Sequence, residues 1–303
     1  MIYEKKTYIC GINQSNYMLV SIIVLNYNTP DITVECLGSI IQNLDPTIYQ
    51  LIVVDNCSSS ENLERLKTKL STFTNVQLIV SDFNRGYGGG NMLGAFHSKG
   101  DFICFVNSDV KLIEDCIVPA CSYLQVHSSV GCVSPQQLNV HHKKEPSFDH
   151  GPGIIKELFG KNILEQLNPQ KYPRRKYNLH KEPLEVIHTS GSMMILPTNL
   201  FFKVGGFDPN IFLYYEEYDI STRLKKEGYA SVFLPMFSYL HIHGVTIECT
   251  TSKLKAMSEL YKSKLYVYKK HHNITFYSLY FMLNIFKLAA KSKLHYIFPQ
   301  RLY

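Results

Sequence analysis

Four polar clusters stand directly after apolar, β-branched runs in this chain: NYN at 26–28, DN at 55–56, DFNR at 82–85 and NSD at 107–109. Singly, an Asp after a strand is an ordinary turn or helix-cap residue; four in succession outline a ligand cleft along one edge of a sheet. Asp109, with Asn107 and Ser108 before it, suits a hard divalent cation, which takes one or two carboxylates and fills its shell with phosphate oxygens and water. Far downstream, LHIHG at 240–244 offers His241 and His243, of which one is expected to reach the cleft, and an imidazole ligand favours Mn²⁺ over Mg²⁺. FLYYEEYDIS at 212–221 places Glu216, Glu217 and Asp219 at a helix start. Acids there gain ~0.3–1 kcal/mol from the helix dipole, which alone accounts for them. The flanking Phe212, Leu213, Tyr214 and Tyr215 add a partly apolar setting, which raises a carboxylate's pKa and prepares it to act as a general base.

The elements that must carry these groups follow from periodicity. VSIIVLNY at 20–27, LIVVD at 51–55, VQLIV at 76–80 and DFICFVN at 101–107 are short apolar runs that predict buried strands. Between them, Leu37, Ile40, Ile41 and Leu44, then Leu63, Leu66 and Leu70, mark helical faces, the first opened by Thr29-Pro30 as cap and first turn. This alternation predicts an α/β fold with a mostly parallel sheet and helices on both faces. NRGYGGGN at 84–91 lacks the Gly-Lys-Ser/Thr of a P-loop, and its best reading alone is a tight turn with close helix packing. Residues 141–183, rich in Lys, His, Pro and Asn, interrupt the rhythm as a long excursion with a short helix over 154–167, the place of a functional loop. VIHTSGSMMILP at 186–197 and SVFLP at 231–235 return to strand character, with a helix from Glu217 between them.

Composition limits the partners. The eight cysteines form no Cys-x-x-Cys pair and several lie in apolar runs, which suits buried free thiols in a reducing cytoplasm. The first residues contain no long apolar stretch, so no signal peptide is expected. Of the net charge of +6, residues 251–303 carry +9 (ten Lys or Arg against Glu259) and the remainder −3. Tyrosine and phenylalanine interleave with these lysines, which points to an anionic membrane surface and not to nucleic acid. The tail predicts two helices, at 252–271 and 275–290; the apolar stretch of the second is shorter than the ~20 residues of a spanning helix, so it is expected to lie in the membrane interface, the alternative being a core helix packed on the domain.

Taken together, SIIVLNYN, LIVVDN, NRGYGGGN, FVNSD, SGSMMILP, VGGFDPNIFLYYEEYDISTRLKKEGY, HIHG and KSKLYVYKKH resemble family 2 glycosyltransferases of GT-A fold, in particular the bacterial rhamnosyltransferase-like enzymes of surface polysaccharide synthesis. The resemblance runs from about residue 21 to 271. It implies a Rossmann-like GT-A domain over 20–250, after a lead-in of 1–19 and before a basic helical tail over 251–303. It implies an inverting transfer from a nucleotide-diphosphate sugar, dTDP-rhamnose or a UDP-hexose, to a saccharide or lipid-linked saccharide acceptor of O-antigen or capsule type, with Mn²⁺ or Mg²⁺ as cofactor. Tyr27 and Asp55 would meet the base and ribose, with Asn84, Arg85, Asn107 and Ser108 also on the donor. Asp109 and His241 would hold the metal, Gly191 and Asp219 would lie on the acceptor side, and Glu217, beside Glu216, would be the catalytic base. Two departures stand out: Asn107 replaces the first acid of the family's Asp-x-Asp, and Glu217 replaces the usual Asp. A nucleotidyltransferase would carry a basic glycine-rich signature at the first strand–helix turn, where this chain has only residues 26–30, and a non-catalytic sugar-binding protein would not need Glu217. The location expected is the cytoplasm, peripheral on the inner face of the membrane.

Overall fold

The first four apolar runs become β1 (Val20–Asn26), β2 (Tyr49–Asp55), β3 (Val76–Val80) and β4 (Phe102–Asn107), parallel in the order β3-β2-β1-β4. The structure, a computed structural model, describes residues 18–175, 180–242 and 253–297. Period-two alternation feeds two cores. Ile22, Val24 and Val53 pack on Leu37 and Ile40 of α1 (Pro30–Asn43) and Leu66 of α2 (Ser60–Leu70). Ile23, Ile52 and Val54 face the other way, toward Phe201, Phe207, Ile220 and Ala95, the last residue of α3 (Gly86–Ala95). Register does the functional work: Asn26 pairs with Asp55 and Leu25 with Asn107, so the polar strand ends finish level.

The sheet continues through less obvious sequence. β5 (Val110–Leu112) follows β4, then α4 (Ile117–Val126) and β6 (Val130–Leu138). β6 is fully buried yet contains Ser134, Gln136 and Gln137, and those polar residues conceal it from a hydropathy reading. The stretch at 186–197 is not one strand but three pieces: the end of β8 (Leu184–Val186), β9 (His188–Thr189) and β10 (Met193–Pro197). β9 pairs with β7 (Phe148–Asp149) outside the main sheet, while β10 runs antiparallel between β4 and β6. β11 (Ala230–His241) is longer than SVFLP suggests and lies parallel to β6, with β5 and β8 antiparallel on it.

Three helical regions surround this sheet. In the excursion, α5 (Ile154–Phe159) and α6 (Lys161–Leu167) are separated by Gly160 at φ +80°. After α7 (Thr198–Lys203), α8 (Glu216–Lys226) carries the acidic start. The tail provides α9 (Lys253–His271) and α10 (Ile274–Ile297). The six described cysteines are free, and all but Cys57 are buried.

α9 is anchored to the body by charge. Lys270 Nζ and His271 Nε2 each lie 2.7 Å from Asp219 Oδ1, and Arg223 Nη2 lies 2.7 Å from Asp219 Oδ2. Lys270 also reaches Asp208 at 2.6 Å, and Ser263 Oγ donates to the Leu213 carbonyl at 2.7 Å. The hydrogen bond from His271 and the charges of Arg223 and Lys270 outweigh burial and hold the Asp219 carboxyl well below the usual carboxylate range. Part of the tail's positive charge, at Lys270, thus neutralises acids of the body, and Asp219, expected on the acceptor side, is a buried tie between α8 and α9.

Removing one member of a buried ion cluster leaves the others uncompensated, so Asp219→Ala is expected to cost ~3 kcal/mol or more, read as a fall in Tm at neutral pH. Asp219's contribution is present above the ordinary Asp pKa of ~3.9 and fades as pH falls through its lower folded value. The gap between variant and wild type should therefore narrow in acid.

Candidate active site

The level strand ends form one rim of a cleft of about 430 Å³. At its base, Asn26 Nδ2 donates to Asp55 Oδ1 at 2.7 Å and the Ser58 N–H to Asp55 Oδ2 at 3.0 Å. Asp55 is fully buried by these contacts and does not line the cleft. The next residue, Asn56, does: its Oδ1 accepts the Arg85 N–H at 2.9 Å, and its Nδ2 reaches Asn84 Oδ1 at 3.1 Å and the Gly86 carbonyl at 3.0 Å. This clasp turns the Arg85 side chain away from the cleft, where Nε donates to Ser81 Oγ at 2.8 Å and the guanidinium covers the Phe83 ring at 4.0 Å.

The glycine-rich turn has a specific job. Gly86 lies at φ +72°, and a Cβ there would stand 2.1 Å from the Phe212 carbonyl oxygen. The adjoining Tyr87 N–H donates to that same oxygen at 2.8 Å, and its hydroxyl donates to the Gly191 carbonyl at 2.6 Å. Residues 84–87 thereby fix both the segment leading into α8 and the turn between β9 and β10.

On the opposite rim, His241 at the end of β11 sets Nε2 3.1 Å from Asp109 Oδ1, and its Nδ1 lies 3.1 Å from Gln137 Oε1. Gln137 Oε1 also accepts from Ser192 Oγ at 2.9 Å. Because an amide oxygen only accepts, Nδ1 carries a proton toward Gln137, and Nε2 lies at hydrogen-bond distance from the Asp109 carboxylate. An imidazole nitrogen and a carboxylate oxygen thus meet on this rim. Asn107 Oδ1, beside them, is buried with no hydrogen-bond partner among the described residues. His243 lies outside the described residues.

The acid pair closes the third side. Tyr214 and Tyr215 both adopt φ +70° immediately before α8, a conformation that costs side-chain-bearing residues about 1–3 kcal/mol each. Glu216 is almost fully buried, and its Oε1 has no hydrogen-bond partner among the described residues. Burial and the neighbouring Glu217 charge hold the Glu216 carboxyl well above the carboxylate range. Glu217 is partly open to the cleft, and burial raises it to about 7, with Asp149 adding to the rise. A Cβ on Gly191 would lie 3.6 Å from Glu217 Oε2, so the absent side chain leaves room directly before the carboxylate.

Of the residues singled out in the sequence, Tyr27, Asn84, Asn107, Ser108, Asp109, Gly191, Glu216, Glu217 and His241 line this cleft. Asp55, Arg85 and Asp219 do not: the first two are held by the Asn26 and Ser81 hydrogen bonds, the third by the α9 ion cluster. Sequence reading missed Gln137, Ser190 and Ser192, which orient His241, and Tyr87, which ties two loops. The signal for Gln137 was present, since β6 ends in polar residues as the earlier strands do.

The profile of the family described as glycosyl transferase family 2 matches residues 21–201. A low-salt glycan biosynthesis hexosyltransferase, Agl10, of Haloferax volcanii is 26% identical over 72% of this chain and 66% of its own. An N-acetylglucosaminyl-diphospho-decaprenol L-rhamnosyltransferase of Mycobacterium tuberculosis is 27% identical over 56% of this chain and 59% of its own. The chain thus spans less than two thirds of either relative. Among solved structures, a mannosyltransferase from Pyrobaculum calidifontis in complex with GDP-Man and Mn²⁺ superposes with a TM-score of 0.55 at 14% identity, covering 97% of this chain and 86% of that one; the likeness is one of fold, that of GT-A enzymes.

The raised Glu217 carboxyl has a consequence for stability. A carboxylate whose folded pKa of about 7 exceeds its unfolded value of ~4.3 favours the fold below the unfolded value and loses that contribution as pH rises through 7. Glu217→Gln should therefore match wild-type stability near pH 4 and exceed it at pH 8 by on the order of 1–3 kcal/mol, read as a higher Tm only at the higher pH. An equal shift at both pH values would show that the carboxylate is not destabilised by its surroundings.

Proposed function

The chain belongs to glycosyl transferase family 2, and from that premise we propose that it moves a sugar from a nucleoside-diphosphate donor to an acceptor hydroxyl by a single displacement that inverts the anomeric carbon. The observation that carries this reading is the facing arrangement in one cleft: a carboxyl raised to about 7 at Glu217 beside open space at Gly191, across from the Asp109–His241 pair. A general base works best with a pKa near the operating pH and with its proton donor in reach. Glu217 takes the proton of the incoming hydroxyl; Glu216, held neutral, adds no second negative charge beside it.

The donor set suits a divalent cation. One carboxylate oxygen and one imidazole nitrogen converge, the imidazole is oriented by Gln137 as a metal-bound histidine is oriented by a second partner, and the buried Asn107 oxygen is unsatisfied among the described residues. No group of three or more His, Cys, Asp or Glu fit for a metal occurs among the described residues, so the remaining shell falls to diphosphate oxygens and water. Bound there, Mn²⁺ or Mg²⁺ would offset the charge that develops on the departing diphosphate. The Mn²⁺ in the Pyrobaculum structure supports this assignment, and the imidazole favours manganese.

For the donor sugar, the rhamnosyltransferase and hexosyltransferase relatives support dTDP-rhamnose or a UDP-hexose. The acceptor is a saccharide, in its lipid-linked form, of O-antigen or capsule type. No described helix is long and apolar enough to cross a membrane. We assign attachment at the anionic inner face to α10, where Phe276, Phe281 and Phe286 are exposed; α9, whose Lys264, Lys270 and His271 contact the body, serves as its base.

Glu217→Gln should preserve donor binding and lower turnover ~10²-fold or more. Wild-type kcat/KM should rise with pH up to about 7 and then level, and a variant with near wild-type turnover would remove Glu217 from the chemistry. Asp109→Ala should weaken donor and Mn²⁺ together in calorimetric titrations, since each completes the other's coordination. Gln137→Leu, which leaves the His241 ring without its acceptor, should weaken Mn²⁺ by ~10-fold or more. Full activity in excess chelator would exclude the metal.

A further inference from the structure

The excursion helices are built inside out. α5 has no buried residue, and Ile155, Leu158, Phe159, Ile163 and Leu167 across α5 and α6 are 40% to 75% exposed. The polar groups of this region turn inward instead. Glu157 Oε1 takes a hydrogen bond from the Tyr280 hydroxyl at 3.2 Å and an ion pair from Lys264 at 2.5 Å, and Lys264 Nζ also donates to Asn284 Oδ1 at 2.9 Å. Tyr280 is fully buried and stacks on Tyr268 of α9 with ring centroids 3.8 Å apart. A buried polar knot therefore locks α5 to α10.

α10 repeats the inversion. Its buried side presents Tyr280 and Asn284, while Ile274, Phe276, Leu279, Phe281, Met282, Ile285 and Phe286 are 39% to 77% exposed. From residue 274 to 286 the sequence contains no charged residue. Two helices that hide their polar groups and expose their apolar ones are ordered for an apolar environment, and scattered surface hydrophobics do not produce this pattern.

Charge selects the occupant. Of the five Lys or Arg in residues 154–175, Lys156, Lys161 and Arg175 pair with Asp149 or Glu165, which leaves Lys171 and Arg174, and in the sequence Lys287, Lys291 and Lys293 follow the apolar run of α10. A second copy of the chain would bring these basic groups against themselves. An anionic bilayer satisfies both features at once, the chains taking the apolar side chains and the headgroups the lysines.

We propose that α5, α6 and α10 form one docking face for an anionic lipid bilayer, so that the excursion, and not the C-terminal helix alone, seats the enzyme. This rests on the membrane reading given above and extends it to residues 155–167. The excursion also joins the docking face to the chemistry: Asp149, whose charge bears on Glu217, is paired with Lys156 at the start of α5 and Lys161 at the start of α6.

The test is sedimentation of the full chain with phosphatidylcholine vesicles, with and without phosphatidylglycerol. Leu158→Asp/Phe159→Asp and Phe276→Asp/Phe286→Asp are the paired variants, all four positions being exposed. Wild type should bind only the anionic vesicles, and each pair should weaken binding ~10-fold or more, since burial of one such side chain already carries about that factor. Tm and transfer to a short soluble acceptor should stay at wild-type levels in both. If wild type ignores anionic vesicles, the membrane reading itself falls and this inference with it. If the α10 pair weakens binding and the α5 pair does not, the membrane reading stands and the docking face proposed here is overturned. A switch from dimer to monomer in either pair with vesicle binding unchanged would assign the face to self-association and overturn it equally.

Discussion

The site hangs on a buried carboxylate that does not line the cleft. Asp55, with no solvent contact, is satisfied by the Asn26 amide and the Ser58 N–H, and a buried acid without such partners would be too costly to keep. Its two hydrogen bonds fix the end of β1 to the loop after β2. From that loop Asn56 grips the Arg85 N–H, Asn84 and the Gly86 carbonyl. Gly86 and Tyr87 then press against the Phe212 carbonyl, where no Cβ could fit. The segment so held enters α8 three residues later, at Tyr215 and Glu216. The placement of the acid pair thus follows, contact by contact, from a strand end on the far side of the cleft.

That chain of contacts sustains an arrangement which is locally unfavourable. Two successive tyrosines at positive φ and a carboxyl group with an unsatisfied buried oxygen both oppose folding. They persist because the neighbouring tertiary contacts determine their positions, and the result is a Glu217 that ionises near neutrality. The opposite case lies two residues along the same helix. Asp219, an acid of the same cluster in sequence, is surrounded by Arg223, Lys270 and His271 and held fully ionised. Two acids two residues apart in one helical turn thus receive opposite environments, one from apolar walls and the other from Arg223 and α9.

This contrast also marks what the sequence could convey. The four parallel strands, their register at the polar ends, and the cleft residues from Tyr27 to Asp109 are legible because each rests on a local pattern of apolar run and polar terminus. His241 was legible as one of two candidates, and of the two it is the one within the described residues, at the end of β11. Asp219, Arg85 and Asp55 do not line the cleft: Asp219 and Asp55 meet partners 52 and 29 residues away, His271 and Asn26, while Arg85 turns to Ser81 close by, and polar type alone does not say whether a side chain faces ligand or protein. β6 was hidden for a related reason. Its glutamines read as loop, whereas Gln136 and Gln137 are buried and hydrogen-bonded beneath the site.

The tail shows the same limit in its electrostatics. A net charge counted along residues 251–303 treats the lysines as one population, yet they divide by structure. Lys264 and Lys270, with His271, meet Glu157, Asp208 and Asp219 across α9, and such charges have little left to offer a distant surface. The uncharged run of residues 274–286 begins after these anchors and is followed by Lys287, Lys291 and Lys293. α9 therefore acts as a bracket, and α10 is the element that exposes Phe276, Phe281 and Phe286 beyond it. Because the bracket ends on Asp219 of α8, whose first turn bears Glu217, the helix that carries the candidate base is joined by an ion cluster to α9, the helix from which α10 continues.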